Sequence, residues 1–504
     1  MQSDERNLSL VMDLYEMTMA NGYFSDGLDK IKKVTFDVFY RNNPDNGGYA
    51  IFAGLEQVLE LVKNFHFSKS DVAYFRSLHL FSEEFLTYLE SYHFHGDIDA
   101  LPEGTVMYPH EPILTVTAPM LDAQLLETAI LAEINHQSLI ATKTNRIVRA
   151  AQGRVVSDFG ARRAHNMDAA VYGARAAYIG GANGTATVFA GKEFGIPVGG
   201  TMAHSWVMYF DDEFEAFKKY AEIYPDNVVL LIDTYDVIHS GLPNAIRTAK
   251  EILHPMGKRL KGVRIDSGDL AYLSKRVRKI LDDEGLHDCQ IVASNSLDEY
   301  TIRSILDQGG RIDSFGVGER LITAKSDPVF GAVYKLVAVE NQDKTWTPRI
   351  KVSESIEKIT NPGRKDLYRI YNSNGKALCD LIACEGETVD LSAPFRYVDP
   401  KEPWRLRHYT NCTAKALKVP VVRDGKVIYQ TPSLDAIREF VRHQLTEEIW
   451  EEEQRFENPH PHFMDMTPAY YEEKCRSWLN REKAAKTLPC PYEDRVFFFL
   501  YQAT

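Results

Sequence analysis

Cysteine is scarce in this chain: six residues among 504, at Cys289, Cys379, Cys384, Cys412, Cys475 and Cys490. Scattered thiols of this kind read as free groups in a reducing compartment, not as a disulfide framework. Cys379 and Cys384 are the one close pair, and no second Cys/His pair completes a tetrahedral set, so no structural metal is expected. Long apolar runs are missing too, since stretches such as Val228 to Ile232 have strand length and a bilayer span needs about 20 residues. Met1 to Asn7 is polar and acidic where a secretory leader needs a basic start and an apolar stretch. A cytoplasmic protein is expected, without membrane contact. Basic excess is lacking as well: the formal charge is -13, the opposite of a nucleic-acid binder's footprint. Neither G-x-x-x-x-G-K-[ST] nor a complete G-x-G-x-x-G occurs, so P-loop and dinucleotide-binding readings are unsupported.

What is present has the size and composition of a large globular enzyme, with 44% hydrophobic and 26% charged residues in a chain long enough for two or three units. Between Arg154 and Gly318 short apolar runs alternate with helical patterns, the signature of βα units on a parallel sheet. The runs begin at Val155, Val198, Val228, Val263, Ile291 and Ile312, and each ends in polar residues. Leu270 to Asp283 and Leu297 to Gln308 carry helix-like apolar spacing between them. A (β/α) barrel is the natural closure, with its chemistry at the strands' C-terminal ends. A doubly wound open sheet also places ligands there.

The flanks read as strand-rich: Val34 to Tyr40 and Gly104 to Pro119 before the barrel, and Gly331 to Glu340, Trp346 to Val352 and Leu367 to Tyr371 after it. Asn372 to Gly375 reads as a turn. The expected organisation is an N-terminal β-rich domain over 1–145, an α/β barrel with the active site over 146–335, a β-rich segment over 336–430 that packs with the N-terminal domain, and a helical extension over 431–504. Glu447 to Glu453 reads as a solvated helix face.

Four clusters carry chemistry. In Gly262-Val263-Arg264-Ile265-Asp266-Ser267-Gly268-Asp269, the strand period of two puts Arg264 and Asp266 on one face where the chain turns into a helix. The same pattern suits a structural ion pair. Ser157-Asp158-Phe159-Gly160-Ala161-Arg162-Arg163 offers a ring face at Phe159 and an anion donor at Arg162, although alone it suits a buried ring and surface arginines equally. Gly199-Gly200-Thr201-Met202-Ala203-His204-Ser205 lets the backbone approach a ligand beside a nucleophilic nitrogen, unless His204 is a satisfied core histidine. Gly316-Val317-Gly318 could form an anion nest.

Taken jointly, and with Leu14-Tyr15-Glu16-Met17-Thr18-Met19-Ala20-Asn21-Gly22 and Ser294-Asn295-Ser296-Leu297-Asp298-Glu299, these clusters resemble the nicotinate phosphoribosyltransferase family over most of residues 8 to 340. The resemblance implies a β-rich domain beside an irregular barrel, in a head-to-tail homodimer. It implies an enzyme forming nicotinate mononucleotide and pyrophosphate from nicotinate and phosphoribosyl pyrophosphate, with coupled ATP hydrolysis and Mg²⁺, in NAD salvage. Phe159 would stack on the pyridine ring from one side and Tyr15 of the partner subunit from the other. Arg264 and Arg162 would face the carboxylate and phosphates, Asp266 the ribose, and Gly316 to Gly318 the 5-phosphate. His204 would be the phosphohistidine, and Ser205, Asp269, Ser294 and Asn295 complete the implied substrate contacts. Related nicotinamide enzymes carry an aspartate where this chain has Ala186, which favours nicotinate because a carboxylate there would repel it. After Asn458-Pro459-His460 the C-terminal family pattern is not continued by Pro461-His462-Phe463. Nicotinamide or quinolinate transfer, a barrel hydrolase pairing Asp233 with Asp266, and a silent ligand-binding protein remain as alternatives.

Overall fold

The computed structural model describes residues 7–27, 32–353, 358–389, 391, 395–399 and 406–486; Cys490 lies outside them. Its functional half is a six-stranded sheet in the order Gly184–Thr185, Val155–Asp158, Ser314–Val317, Gln290–Ser294, Gly262–Ile265, Val229–Leu231. All five pairings are parallel. Each neighbour follows in the chain or joins last strand to first, so the sheet lacks the order reversal that defines a doubly wound fold.

The strand expected from Val198 to Met202 is reduced to one parallel bridge, Val198 to Thr185. Gly199 and Gly200 are exposed and meet no neighbour within 4 Å of a notional Cβ, so nothing offsets the entropy of holding them extended. Among the described residues no ladder joins Val198 to Val229–Leu231, and the sheet is open at that seam. Side chains cross it instead, as described below.

The helices between strands follow from local pattern. Leu270–Asp283 starts at Asp269, whose carboxylate accepts from the Tyr272 amide, and buries Leu270, Ser274, Val277 and Leu281 along one stripe. Glu299–Asp307 starts in the same way at Asp298. A 24-residue helix, Glu127–Ala150, backs the parallel sheet and buries charge along its second half. Lys143 Nζ reaches Asp45 at 3.0 Å and Glu299 at 2.9 Å, and Arg146 Nε reaches Glu299 at 2.8 Å. Paired buried charges of this kind fix relative position more than they add stability.

A seven-stranded sheet combines Lys33–Phe39, Asp97–Ala100 and Leu114–Pro119 with Val333–Glu340, Trp346–Pro348, Val419–Arg423 and Lys426–Val427. A six-stranded sheet holds Lys365–Tyr371 and Ala377–Cys384, joined through the turn at Gly375, together with Phe395–Val398, Leu406–Tyr409, Thr413–Ala416 and Met464–Met466. The last of these corrects the helical reading of 431–504. Met464–Met466 lies inside that sheet, parallel to Ala377–Cys384, between the helices Leu434–His443 and Pro468–Lys486.

The acidic run is corrected as well. Glu447, Glu451 and Glu452 are exposed, but Glu453 is buried. It accepts from the Tyr108 hydroxyl at 2.7 Å and faces His462 at 3.2 Å. His462 stacks on Tyr108 with ring centroids 3.6 Å apart, so within the unexpected sequence after His460 the His462 side chain is buried, while Pro461 is exposed. No helix among the described residues is long and apolar enough to cross a membrane.

Candidate functional site

Strand Gly262–Ile265 delivers Arg264 to the C-terminal rim of the parallel sheet, where its side chain is 11% exposed. Its guanidinium spends four of five donors. Nε donates to Ser294 Oγ at 2.9 Å, Nη1 to Thr201 Oγ1 at 3.0 Å and the Met202 carbonyl at 3.2 Å, and Nη2 to Asp266 at 3.2 Å. The contacts to Thr201 and Met202 reach the chain across the open seam, so one arginine ties together the segments that backbone pairing leaves apart. Ser294, buried at the end of its strand, also donates to Asp266. Arg264 and Asp266 thus form the ion pair that the strand spacing allows, with one N–H unspent and the carboxylate partly exposed.

A residue given only a remote role by the sequence is central here. The Asp233 side chain is 1% exposed. One oxygen accepts the Asp266 amide at 3.1 Å and the Ser267 hydroxyl at 2.5 Å, while the other faces His204 Nε2 at 3.2 Å. With both oxygens occupied, Asp233 is poorly placed to serve as one of a hydrolase's paired carboxylates. It is placed to orient His204 instead: a proton on Nε2, toward the carboxylate, would leave the Nδ1 lone pair free. The signal in the sequence was its position directly after the apolar run Val228 to Ile232, but the partner 29 residues earlier is a product of the fold. His204 opens the helix His204–Tyr209 and is 39% exposed; Ser205 beside it is exposed.

Phe159 is half-buried at the end of Val155–Asp158, with its amide on the Val317 carbonyl at 2.8 Å. The ring lies over Gly316: a Cβ there would stand 2.3 Å from two ring carbons. Its other neighbour is the Arg264 guanidinium, 5.7 Å from the ring centroid. Asp158 beneath it accepts from the Gly160 amide and the Thr185 hydroxyl, each at 2.8 Å, and burial raises its carboxyl above the usual range. Gly318 passes close to the Phe159 carbonyl, 3.1 Å from a notional Cβ, and completes the glycine-lined turn.

Other expected residues are distributed less simply. Asn295 and Ser296 follow Ser294 with φ of 93° and 49°, a left-handed pair at the strand end of the kind stored at functional turns. Asp269 is exposed and caps its helix with one oxygen. Arg162 is exposed in the short turn Ala161–Arg163 and is not drawn into the Arg264 network. Tyr15 stands on the helix Leu14–Ser25, 43% exposed and with its hydroxyl on Glu127, and is not drawn into the Arg264 network. Two threonine hydroxyls that the sequence gave no reason to single out, Thr187 and Thr234, are buried without a hydrogen-bond partner at the ends of Gly184–Thr185 and Val229–Leu231.

Three family models match the chain: the N-terminal domain of nicotinate phosphoribosyltransferase over residues 10–135, the nicotinate phosphoribosyltransferase family over 155–372 and the C-terminal domain over 364–474. A nicotinate phosphoribosyltransferase of Bacillus subtilis is 45% identical over 97% of this chain and 98% of its own length. One of Caenorhabditis elegans is 36% identical over 93% of each chain. The crystal structure of human nicotinic acid phosphoribosyltransferase superposes with a TM-score of 0.82 at 27% identity, covering 94% of this chain and 100% of that one. A nicotinate-nucleotide pyrophosphorylase from Pyrococcus furiosus gives a TM-score of 0.68 at 25% identity, covering 88% and 96%.

Proposed function

Since the chain belongs to the nicotinate phosphoribosyltransferase family, we propose that its strand-end cluster transfers the phosphoribosyl group of phosphoribosyl pyrophosphate to the ring nitrogen of nicotinate. The products are nicotinate mononucleotide and pyrophosphate, in the salvage of nicotinate into NAD, and ATP hydrolysis is coupled to the transfer. The observation that carries this reading is the convergence of an aromatic face, a guanidinium 5.7 Å from it and a carboxylate paired to that guanidinium. A planar aromatic acid uses the first two, and a ribosyl cation uses the third.

The pyridine nitrogen is already a nucleophile, so the chain need not remove a proton. Its task is to align that nitrogen with the anomeric carbon and to stabilise charge as pyrophosphate departs. Phe159 supplies the stacking plane. Arg264, held rigid by Ser294, Thr201 and Met202, has one N–H left for the nicotinate carboxylate and gains a second if the substrate displaces Asp266. Asp266 is then free to oppose the developing positive charge on the ribose. Gly316 to Gly318, with Arg162 at the rim, is the reading for the 5-phosphate. Mg²⁺ would arrive on the phosphate oxygens of the two co-substrates. Asp266 and the exposed Asp269, which spends one oxygen on its helix, are the carboxylates at this strand end able to add a ligand. The ion would neutralise charge on the departing pyrophosphate. The strand order, circular except at the Val198 seam, reads as an irregular barrel, and the site lies where barrel enzymes place theirs. We place the enzyme in the cytoplasm.

Purified protein should release pyrophosphate from phosphoribosyl pyrophosphate with nicotinate and do so faster with ATP. Preference for nicotinamide or quinolinate in the same assay would overturn the substrate, and turnover without phosphoribosyl pyrophosphate would overturn the reaction. Ala186, exposed just after Gly184–Thr185, leaves no carboxylate there to accept from an amide, which favours the acid.

Gly316→Ala is expected to raise KM for nicotinate on the order of tenfold, because the new methyl must push the Phe159 ring from its seat. Steady-state kinetics check it; an unchanged KM would show that the ring is not the stacking surface. Tyr15, exposed on its helix and outside the Arg264 network, is the residue we assign to the second subunit's site in a homodimer. Tyr15→Ala should weaken nicotinate binding by about 0.5–1.5 kcal/mol beyond the lost contact area. Mixing Tyr15→Ala with Asp266→Asn chains should restore activity through hybrid sites, and no rescue after verified subunit exchange would confine Tyr15 to its own chain.

A further inference from the structure

A cavity of about 260 Å³ lies away from the strand ends, between the polar face of the seven-stranded sheet and the edge of the six-stranded one. Thr35, Thr115, Thr117, Asp99 and Arg423 line one side, and Arg364, Lys365, Asp366 and Glu385 the other, with Lys418 between. The lining is polar almost throughout, which is unsuited to an apolar ligand.

Most of its charges are matched. Arg364 pairs with Glu385 at 2.5 Å, Arg423 with Asp99 at 2.6 Å, and Lys365 with Asp37. Two groups are not. Lys418 Nζ donates to Thr115 Oγ1 at 3.0 Å and to the Lys365 carbonyl at 3.1 Å, and no carboxylate among the described residues comes within ion-pair distance. Thr115 in turn donates to Asp37 at 2.7 Å, so its hydroxyl holds the ammonium and has no donor left for a ligand. Asp366 spends one oxygen on the Gly386 amide at 2.8 Å, and its other oxygen has no partner among the described residues. An ammonium N–H and a carboxylate oxygen therefore line one polar cavity without forming an ion pair with each other. The Thr35 and Thr117 hydroxyls, 3.2 Å apart, share one hydrogen bond and leave one further donor nearby.

We propose that this cavity binds inorganic phosphate in a protonated form, with phosphate oxygens on Lys418 and the threonine pair and the phosphate hydroxyl donating to Asp366. Burial depresses the Lys418 pKa, only partly opposed by the carboxylates of Asp37, Asp99 and Asp366 and reinforced by the neighbouring Lys365 ammonium, and a bound anion would favour the charged form. The unspent carboxylate oxygen sets specificity. Sulfate has the same size and shape but no proton at neutral pH, so it meets Asp366 as a bare repulsive pair; phosphate carries the proton that the carboxylate can accept.

The test is calorimetric titration of the full-length enzyme with phosphate and with sulfate, comparing wild type with Lys418→Met and Asp366→Asn. Wild type should show a phosphate site that sulfate fills poorly, beyond any binding at the catalytic cluster. Lys418→Met should weaken it on the order of 10–100-fold, the worth of a hydrogen bond to a charged donor, with turnover retained as the check on folding. Asp366→Asn should admit sulfate. Should Lys418→Met misfold, Thr115→Val removes the seat of the ammonium and is expected to give the same loss. Equal phosphate stoichiometry and affinity in wild type and a folded Lys418 or Thr115 variant would show that the cavity holds water only. Equal binding of phosphate and sulfate by wild type would overturn the role of Asp366.

Discussion

Asp266→Asn is expected to lower kcat on the order of 10²–10³-fold, the range seen when one preorganised electrostatic partner of a transition state is removed, about 2.7–4 kcal/mol. The fold should survive. Asparagine has the same size, and its oxygen can still accept from Ser294 and Arg264, while the main-chain N–H that Asp233 receives at 3.1 Å is untouched. What disappears is a negative charge at the mouth, where departing pyrophosphate leaves a positive ribosyl centre. The ribose carries no positive charge in the ground state and gains one in the transition state, so the loss should fall on kcat more than on KM. Steady-state kinetics with a thermal melt decide it. A near-normal kcat in a folded variant would reduce Asp266 to the structural partner of Arg264.

Much of the scaffold around this residue was legible in advance, and the exceptions have physical reasons. The helix Leu270–Asp283 has the bounds suggested by its apolar spacing, because Asp269 caps it and a regular stripe is buried. The strand proposed at Val198 failed because two adjacent glycines supply neither β propensity nor a packed surface. Met464–Met466 was missed because three residues carry no readable period; its partner strand lies some eighty residues away. The long helix Glu127–Ala150 buries Gln137, Lys143 and Arg146, so its buried face does not look apolar in sequence.

The site shows the same division between local and assembled information. Arg264 and Asp266 are two residues apart, and a strand must put them together. Phe159 and Gly316 are brought into contact by pairing of the first and last strands, which only the barrel-like order implies. Asp233 stood at a strand end like the others, but its value depends on His204 approaching across the open seam, and no spacing rule encodes that approach. For Arg162 and Tyr15 the motif resemblance names a role that the contacts within one chain do not supply.

His204→Asn is expected to abolish nicotinate-dependent ATP hydrolysis and ATP stimulation, leaving slow ATP-independent formation of nicotinate mononucleotide. The argument begins with the carboxylate behind the ring. Asp233 Oδ1, buried and 3.2 Å from Nε2, favours the tautomer with its proton on Nε2 and leaves Nδ1 as the nucleophile. In the proposed coupling Nδ1 would attack the γ-phosphorus, forming the N–P bond as the bond to the β-γ bridging oxygen breaks. ADP would leave, and the ring would take up positive charge that Asp233 is placed to offset. Such a covalent state is what allows ATP to alter the transfer equilibrium, since a ligand that interacts equally with every state shifts none of them. Asparagine keeps a polar side chain near Asp233 but has no lone pair able to accept the phosphoryl group. Acid-labile ³²P incorporation from γ-labelled ATP, compared between the two proteins, is the decisive measurement. If the variant still takes up label on histidine, or still responds fully to ATP, the coupling runs through another residue and the His204–Asp233 pair serves only to hold the open seam of the sheet together.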